Sequence, residues 1–171
     1  MRYLQNVYYE IYDPEIDEGT YFYYQAAGRS FKVEILADAF EDGEDRKPKS
    51  AYLLHTNLIV LVYSIASLES FEYIKKTLEY IKFVLKSVSL QPSYLLCATQ
   101  CDKEEERKVS QNEAFLFAES LETRFFEVSS KTNINIKDLF EEIVVRAYVQ
   151  KYGSFPPKIE KKVNKKGCLI S

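Results

Sequence analysis

No apolar run in this chain of 171 residues approaches the roughly 18 that a membrane-spanning helix needs, so any membrane contact must fall to another element. There is one histidine, His55, without a helical partner at chelating spacing, and Cys97 and Cys101 bracket the end of an apolar run. A metal centre is therefore not expected. The three cysteines are an odd set, and no charged start leads into an apolar stretch. That pattern points to a reducing, cytosolic compartment rather than a secretory route. Positive charge is also in short supply, with a formal net charge of -3. A nucleic-acid binder rests on many cationic contacts to phosphate, which argues against nucleic acid as a partner. The length is that of one domain around one substantial core.

Aromatic residues, in contrast, are plentiful: 14 tyrosines and 11 phenylalanines. The early cluster Tyr8, Tyr9, Tyr12, Tyr21, Tyr23 and Tyr24 is expected to fill a strand and its neighbouring helix. After residue 50, short apolar runs alternate with helical periodicity, which predicts a parallel sheet with helices on its faces. The strands are expected at 57–63, 93–99 and 124–128. Phe71, Ile74, Leu78, Ile81 and Leu85 form the inward stripe of one helix, which Pro92 is expected to stop. A second helix is expected over about 110–121, with Ala114, Phe117, Ala118 and Leu121 inward and Ser110 as N-cap. Ile136, Leu139, Phe140, Ile143, Val144 and Ala147 mark a last helix, ending near Gly153 and Pro156-Pro157. Before residue 50, Thr20 to Gln25 and Ser30 to Leu36 read as a β-hairpin turning at Gly28, and Ala39 to Ser50 as a surface loop. The domain is thus expected over 1–152 and a flexible tail over 153–171.

The tail carries chemistry of its own. It ends Cys168-Leu169-Ile170-Ser171, the cysteine, two aliphatics and small terminal residue that protein prenyltransferases read, and the terminal serine favours farnesyl. Lys158, Lys161, Lys162, Lys165 and Lys166 lie just upstream, opposed only by Glu160. Each lysine is attracted to anionic headgroups by roughly 1 kcal/mol. Lipid and basic cluster together supply the two signals that stable anchoring needs.

Several motifs recur in a fixed order. Tyr12-Asp13-Pro14-Glu15-Ile16 is followed by the hairpin, Glu34-Ile35-Leu36, the strand at 57–63, Thr99-Gln100-Cys101-Asp102 and Glu127-Val128-Ser129-Ser130-Lys131, with the prenylation box last. In that order the chain resembles the Ras family of small GTPases along essentially its whole length. The resemblance implies a P-loop GTPase-like α/β fold, a three-layer sandwich whose mostly parallel sheet has an antiparallel edge hairpin. It implies GTP or GDP as ligand, with Asp102 accepting hydrogen bonds from the guanine ring nitrogens. Ser129, Ser130 and Lys131 match the family's Ser-Ala-Lys loop beside the base. Thr99 and Gln100 stand where the family has Asn and Lys. Taken alone, Asp102 reads equally as a solvated carboxylate after a strand.

The phosphate side departs further. The G-x-x-x-x-G-K-[ST] loop, which cradles phosphates with backbone N–H groups and a lysine, does not occur in the chain. Met1-Arg2-Tyr3-Leu4 resembles the middle of the helix that follows that loop, so the loop and its strand, central in the family sheet, are expected upstream of Met1. Glu15 replaces the switch threonine that senses Mg²⁺. Ala37-Asp38-Ala39-Phe40-Glu41 stands for the family's Asp-Thr-Ala-Gly-Gln, which makes a Mg²⁺ site doubtful. No catalytic residue is assigned, and hydrolysis is expected to be weak or absent.

Two functions follow as expectations. One is a signalling protein on the cytoplasmic face of a membrane, the plasma membrane by preference, held by farnesyl and lysines. It would be a monomer that meets effector or regulatory proteins through Tyr12, Asp13, Pro14, Glu15, Ile16 and the hairpin edge. The other is a GTP-binding switch with slow hydrolysis whose phosphate loop lies before a misassigned start.

Overall fold

The computed structural model describes residues 19–26, 29–36 and 53–154. Gly19–Ala26 (β1) and Arg29–Leu36 (β2) pair antiparallel, with Phe22 opposite Val33 and Tyr23 opposite Lys32. Successive strand side chains point to opposite faces, so placing Phe22, Tyr24, Phe31, Val33 and Ile35 inward turns their neighbours outward. Of the early tyrosines expected to fill a strand, Tyr21, Tyr23 and Tyr24 stand in β1, with Tyr21 and Tyr23 on its outer face at 59% and 63% exposure. Tyr8, Tyr9 and Tyr12, the turn at Gly28 and the stretch 39–50 lie outside the described residues.

Leu58–Ser64 (β3), Ser93–Thr99 (β4) and Phe125–Glu127 (β5) form a parallel sheet in the order β3-β4-β5. Among the described residues the helices are Leu68–Ser87 (α1), Gln111–Ser120 (α2) and Ile136–Tyr152 (α3), with one 3-10 turn at Glu104–Glu106. Side chains from β3 and β4 alternate between two faces. Leu61, Tyr63, Leu96 and Ala98 meet Phe71, Ile74, Leu78, Ala114 and Ala118, so α1 and α2 cover one face. Leu95 and Cys97 meet Val128, Ile136 and Leu139, so α3 covers the other.

The helix starts are set by hydroxyl caps. Ser67 Oγ accepts from Ser70 N at 3.1 Å, and Ser110 Oγ accepts from Glu113 N at 3.2 Å, each satisfying an otherwise unpaired first-turn N–H. At the other end, α1 does not wait for Pro92. It stops at Ser87, where Ser89 turns left-handed with φ 56° and Leu90 N donates back to Leu85 O at 3.1 Å. Pro92 sits buried ahead of β4.

Helix α3 links the two sheets. Phe22 meets Phe140 edge-on with ring centres 6.2 Å apart, and Phe31 meets Tyr148 at 5.0 Å. Among the described residues, β2 bonds only to β1 and β3 only to β4, so one edge of each has no strand partner among them. Val62, in the apolar middle of β3, is 50% exposed. None of the helices in the described residues is long and apolar enough to cross a membrane.

Candidate functional site at the ends of β4 and β5

Parallel strands deliver the loops that follow them to one edge of a sheet, and ligands of open α/β folds bind outside those carboxyl ends. The loop after β4 begins at Thr99, whose hydroxyl donates to Tyr63 O at 3.0 Å while its own carbonyl accepts from Ile65 N at 3.1 Å. Both bonds brace the loop against β3. Gln100 then turns left-handed, φ 61°, and Ser64 Oγ donates to Gln100 Oε1 at 2.6 Å. Cys101 N donates to Val128 O at 3.1 Å, which ties this loop to the one after β5.

The second loop is built around Ser129, which is wholly buried. Its backbone exchanges two hydrogen bonds with Ile134, at 3.1 and 3.0 Å, closing the turn that holds Ser130 and Lys131 at the surface. Its hydroxyl accepts from Thr132 N at 3.0 Å and donates to the Asp102 carboxylate. That hydrogen bond holds the Asp102 carboxyl below the usual carboxylate range, and Lys131 and Lys103 add to the effect. Asp102 remains exposed. The site thus presents a fixed, ionised acceptor beside a turn, suited to a ligand edge carrying N–H donors.

Of the sequence-derived candidates, Thr99, Gln100, Asp102, Ser129, Ser130 and Lys131 are brought together at this edge. Tyr12, Asp13, Pro14, Glu15, Ile16 and Cys168 lie outside the described residues, as do residues 37–41 and the lysine tail. Gln100 is neutral and bound back to Ser64, so it does not reproduce a lysine's charge, whereas Thr99 preserves a bracing bond with a hydroxyl.

Sequence reasoning missed the ion pair behind the site. Arg107 grips Glu127 with two nitrogens at 2.7 and 2.9 Å, Glu104 at 2.8 and 2.6 Å, and Val109 O at 3.1 Å. Gln111 donates to the same Glu127 at 2.9 Å. The hydrogen bonds to Glu104 and Glu127 push the Arg107 guanidinium up from its ordinary range. This side-chain fork joins the segment after β4 to β5, and only the sign pattern of Glu104 and Arg107 hinted at it. Near it, burial pushes the Cys97 thiol up to about 12 and also raises Cys101.

Parallel sheet, helices on both faces and paired loops at the strand ends define a P-loop GTPase-like α/β domain. The Ras family profile matches residues 1–149, and the chain belongs to that family. It is 26% identical over 170 residues to the GTP-binding protein Rheb homolog of Dictyostelium discoideum, covering 99% of this chain and 87% of that protein. It is 29% identical to the Ras-like protein rasU of the same organism, over 84% of this chain and 65% of that one. To mouse GTP-binding protein Di-Ras2 it is 27% identical over 84% of this chain and 71% of its relative.

Proposed function

We propose that the protein is a membrane-anchored Ras-family signalling protein that, in this form of 171 residues, binds guanine nucleotide weakly or not at all and acts through contacts with effector or regulatory proteins. One observation carries this reading. The base-side pair of Asp102 and Ser129 is assembled, while no lysine-bearing phosphate loop occurs in the 171 residues. Affinity and catalysis at a nucleoside triphosphate rest on that loop and its Mg²⁺, so a base contact alone leaves most of the ligand unheld. Glu15, facing the terminal phosphate in the family arrangement, would repel it. In this reading a farnesyl group on Cys168 and the lysines upstream hold the domain at the cytoplasmic face of the plasma membrane. Residues 12–16 and the outer edge of β1 then serve as the protein-binding surface, where an extended partner adds a strand. Purified protein with labelled GTP and Mg²⁺ is expected to show no binding tighter than micromolar; nanomolar retention overturns the proposal.

The second reading is a GTP-dependent switch with slow hydrolysis, favoured by the edge of β3, which has no strand partner among the described residues, and by the exposure of Val62 on that strand. Relatives named as GTP-binding proteins also favour it. The coding sequence before Met1 separates the two: an in-frame G-x-x-x-x-G-K-[ST] after an apolar strand supports the switch, and an in-frame stop sinks it.

A further inference from the structure

Three residues stand in one row across the parallel sheet: Tyr63 on β3 is in register with Ala98 on β4, and Ala98 with Glu127 on β5. Neighbouring strands lie about 4.8 Å apart, so the backbones at the two ends of the row are separated by about 10 Å. Tyr63 and Ala98 both point to the face covered by α1 and α2. Between the two longer side chains stands only the methyl group of Ala98. Both are enclosed, with Tyr63 2% exposed and the Glu127 side chain 15%.

The two ends of the row are unequally served. The Glu127 carboxylate accepts from two nitrogens of Arg107 and from Gln111, which fills three of its roughly four lone-pair positions. The Tyr63 ring is held by Phe71, with ring centres 4.8 Å apart, yet its hydroxyl is buried without a hydrogen-bond partner among the described residues. Leaving such a hydroxyl unpaired is costly, and buried water is the usual remedy where a second polar group lies within reach. Burial pushes the Tyr63 phenol well above its ordinary range and the charge of Glu127 adds to the effect, so the hydroxyl keeps its proton as a donor. A small anion is a poorer occupant, because it would meet the Glu127 carboxylate.

We propose that one water molecule is built into this row above Ala98, accepting from Tyr63 Oη and donating to the remaining position of the Glu127 carboxylate. The bridge ties β3 to the Arg107–Glu127 fork on β5. At its carbonyl Tyr63 also accepts from Thr99, the first residue of the loop after β4. The same residue thus braces both strand ends that carry the candidate site, and is a positioning residue for it.

A crystal structure of the full chain is expected to show a water within hydrogen-bond distance of both Tyr63 Oη and the Glu127 carboxylate. A resolved row without that water, or with the hydroxyl bonded directly to protein, overturns the proposal. Tyr63→Phe, which keeps the ring, is expected to lose the water and to lower the urea midpoint. It should also speed hydrogen exchange of the Cys101 amide, which donates to Val128 O, about fivefold relative to amides in α1. A midpoint that rises would show the hydroxyl to be an unpaired burden and overturns the bridge. Cys101 exchange unchanged relative to α1 overturns the positioning role.

Discussion

Asp102 and Ser129 were legible one at a time, because each lies in a short motif at the end of an apolar run. Their joint effect is visible only in the structure. The Ser129 hydroxyl donates to the ionised carboxylate, so folding favours the charged form and lowers its pKa. The stabilisation this contributes is present above the unfolded value of about 4 and is lost as pH falls through the lower folded value. Ser129→Ala is therefore expected to move the Asp102 titration back up toward the ordinary value, read by NMR of the carboxyl carbon; an unmoved titration would rule the hydroxyl out as the cause. Arg107 and Glu127 were not legible, because the partners are twenty positions apart and no local period links them. Their side chains are only 13% and 15% exposed. Arg107→Ala leaves a mostly buried carboxylate unpaired, a loss expected to cost about 3 kcal/mol in urea unfolding. A change within a few tenths would show that water replaces the guanidinium freely.

At the scale of elements, periodicity served well wherever one face of a segment is covered by described structure. The inward stripe of α1 was readable to the residue, because a helix on a sheet buries one side chain every three or four positions. Removing the middle of that stripe with Leu78→Ala should cost about 3 kcal/mol, through lost burial and the cavity left behind. Phe83→Ala, on the opposite face, should change the stability of the monomer by less than about 0.5 kcal/mol. Equal costs in denaturant unfolding would refute the assignment of the two faces. The hairpin was harder. Its aromatics alternate with one another, so composition alone could not say that Phe22 and Tyr24 go in while Tyr21 and Tyr23 go out. Nor could it say where α1 stops, since the left-handed turn at Ser89 acts before Pro92 is reached.

For the whole molecule, the proposed membrane anchor in the tail is open to a direct test. A single lipid chain gives only marginal, reversible membrane binding, so the proposed anchor requires the lysines as well as Cys168. On this proposal Lys158, Lys161, Lys162, Lys165 and Lys166 contribute roughly 1 kcal/mol each against an anionic surface, together up to a few thousandfold in partitioning, and that share is screened by salt. Three expectations follow from these two terms. Cys168→Ser should release the protein to the cytosol in cell fractionation, because lysines alone lack the apolar anchor. Replacing the lysines by Gln while keeping Cys168 should leave a lipidated protein whose binding to phosphatidylserine-containing vesicles falls sharply. Raising ionic strength should weaken the native protein's binding while barely touching the lysine-free form. Full membrane retention of Cys168→Ser would refute the anchor. Equal vesicle binding by native and lysine-free proteins would refute the electrostatic half, and the domain would then owe its place at the membrane to the lipid alone.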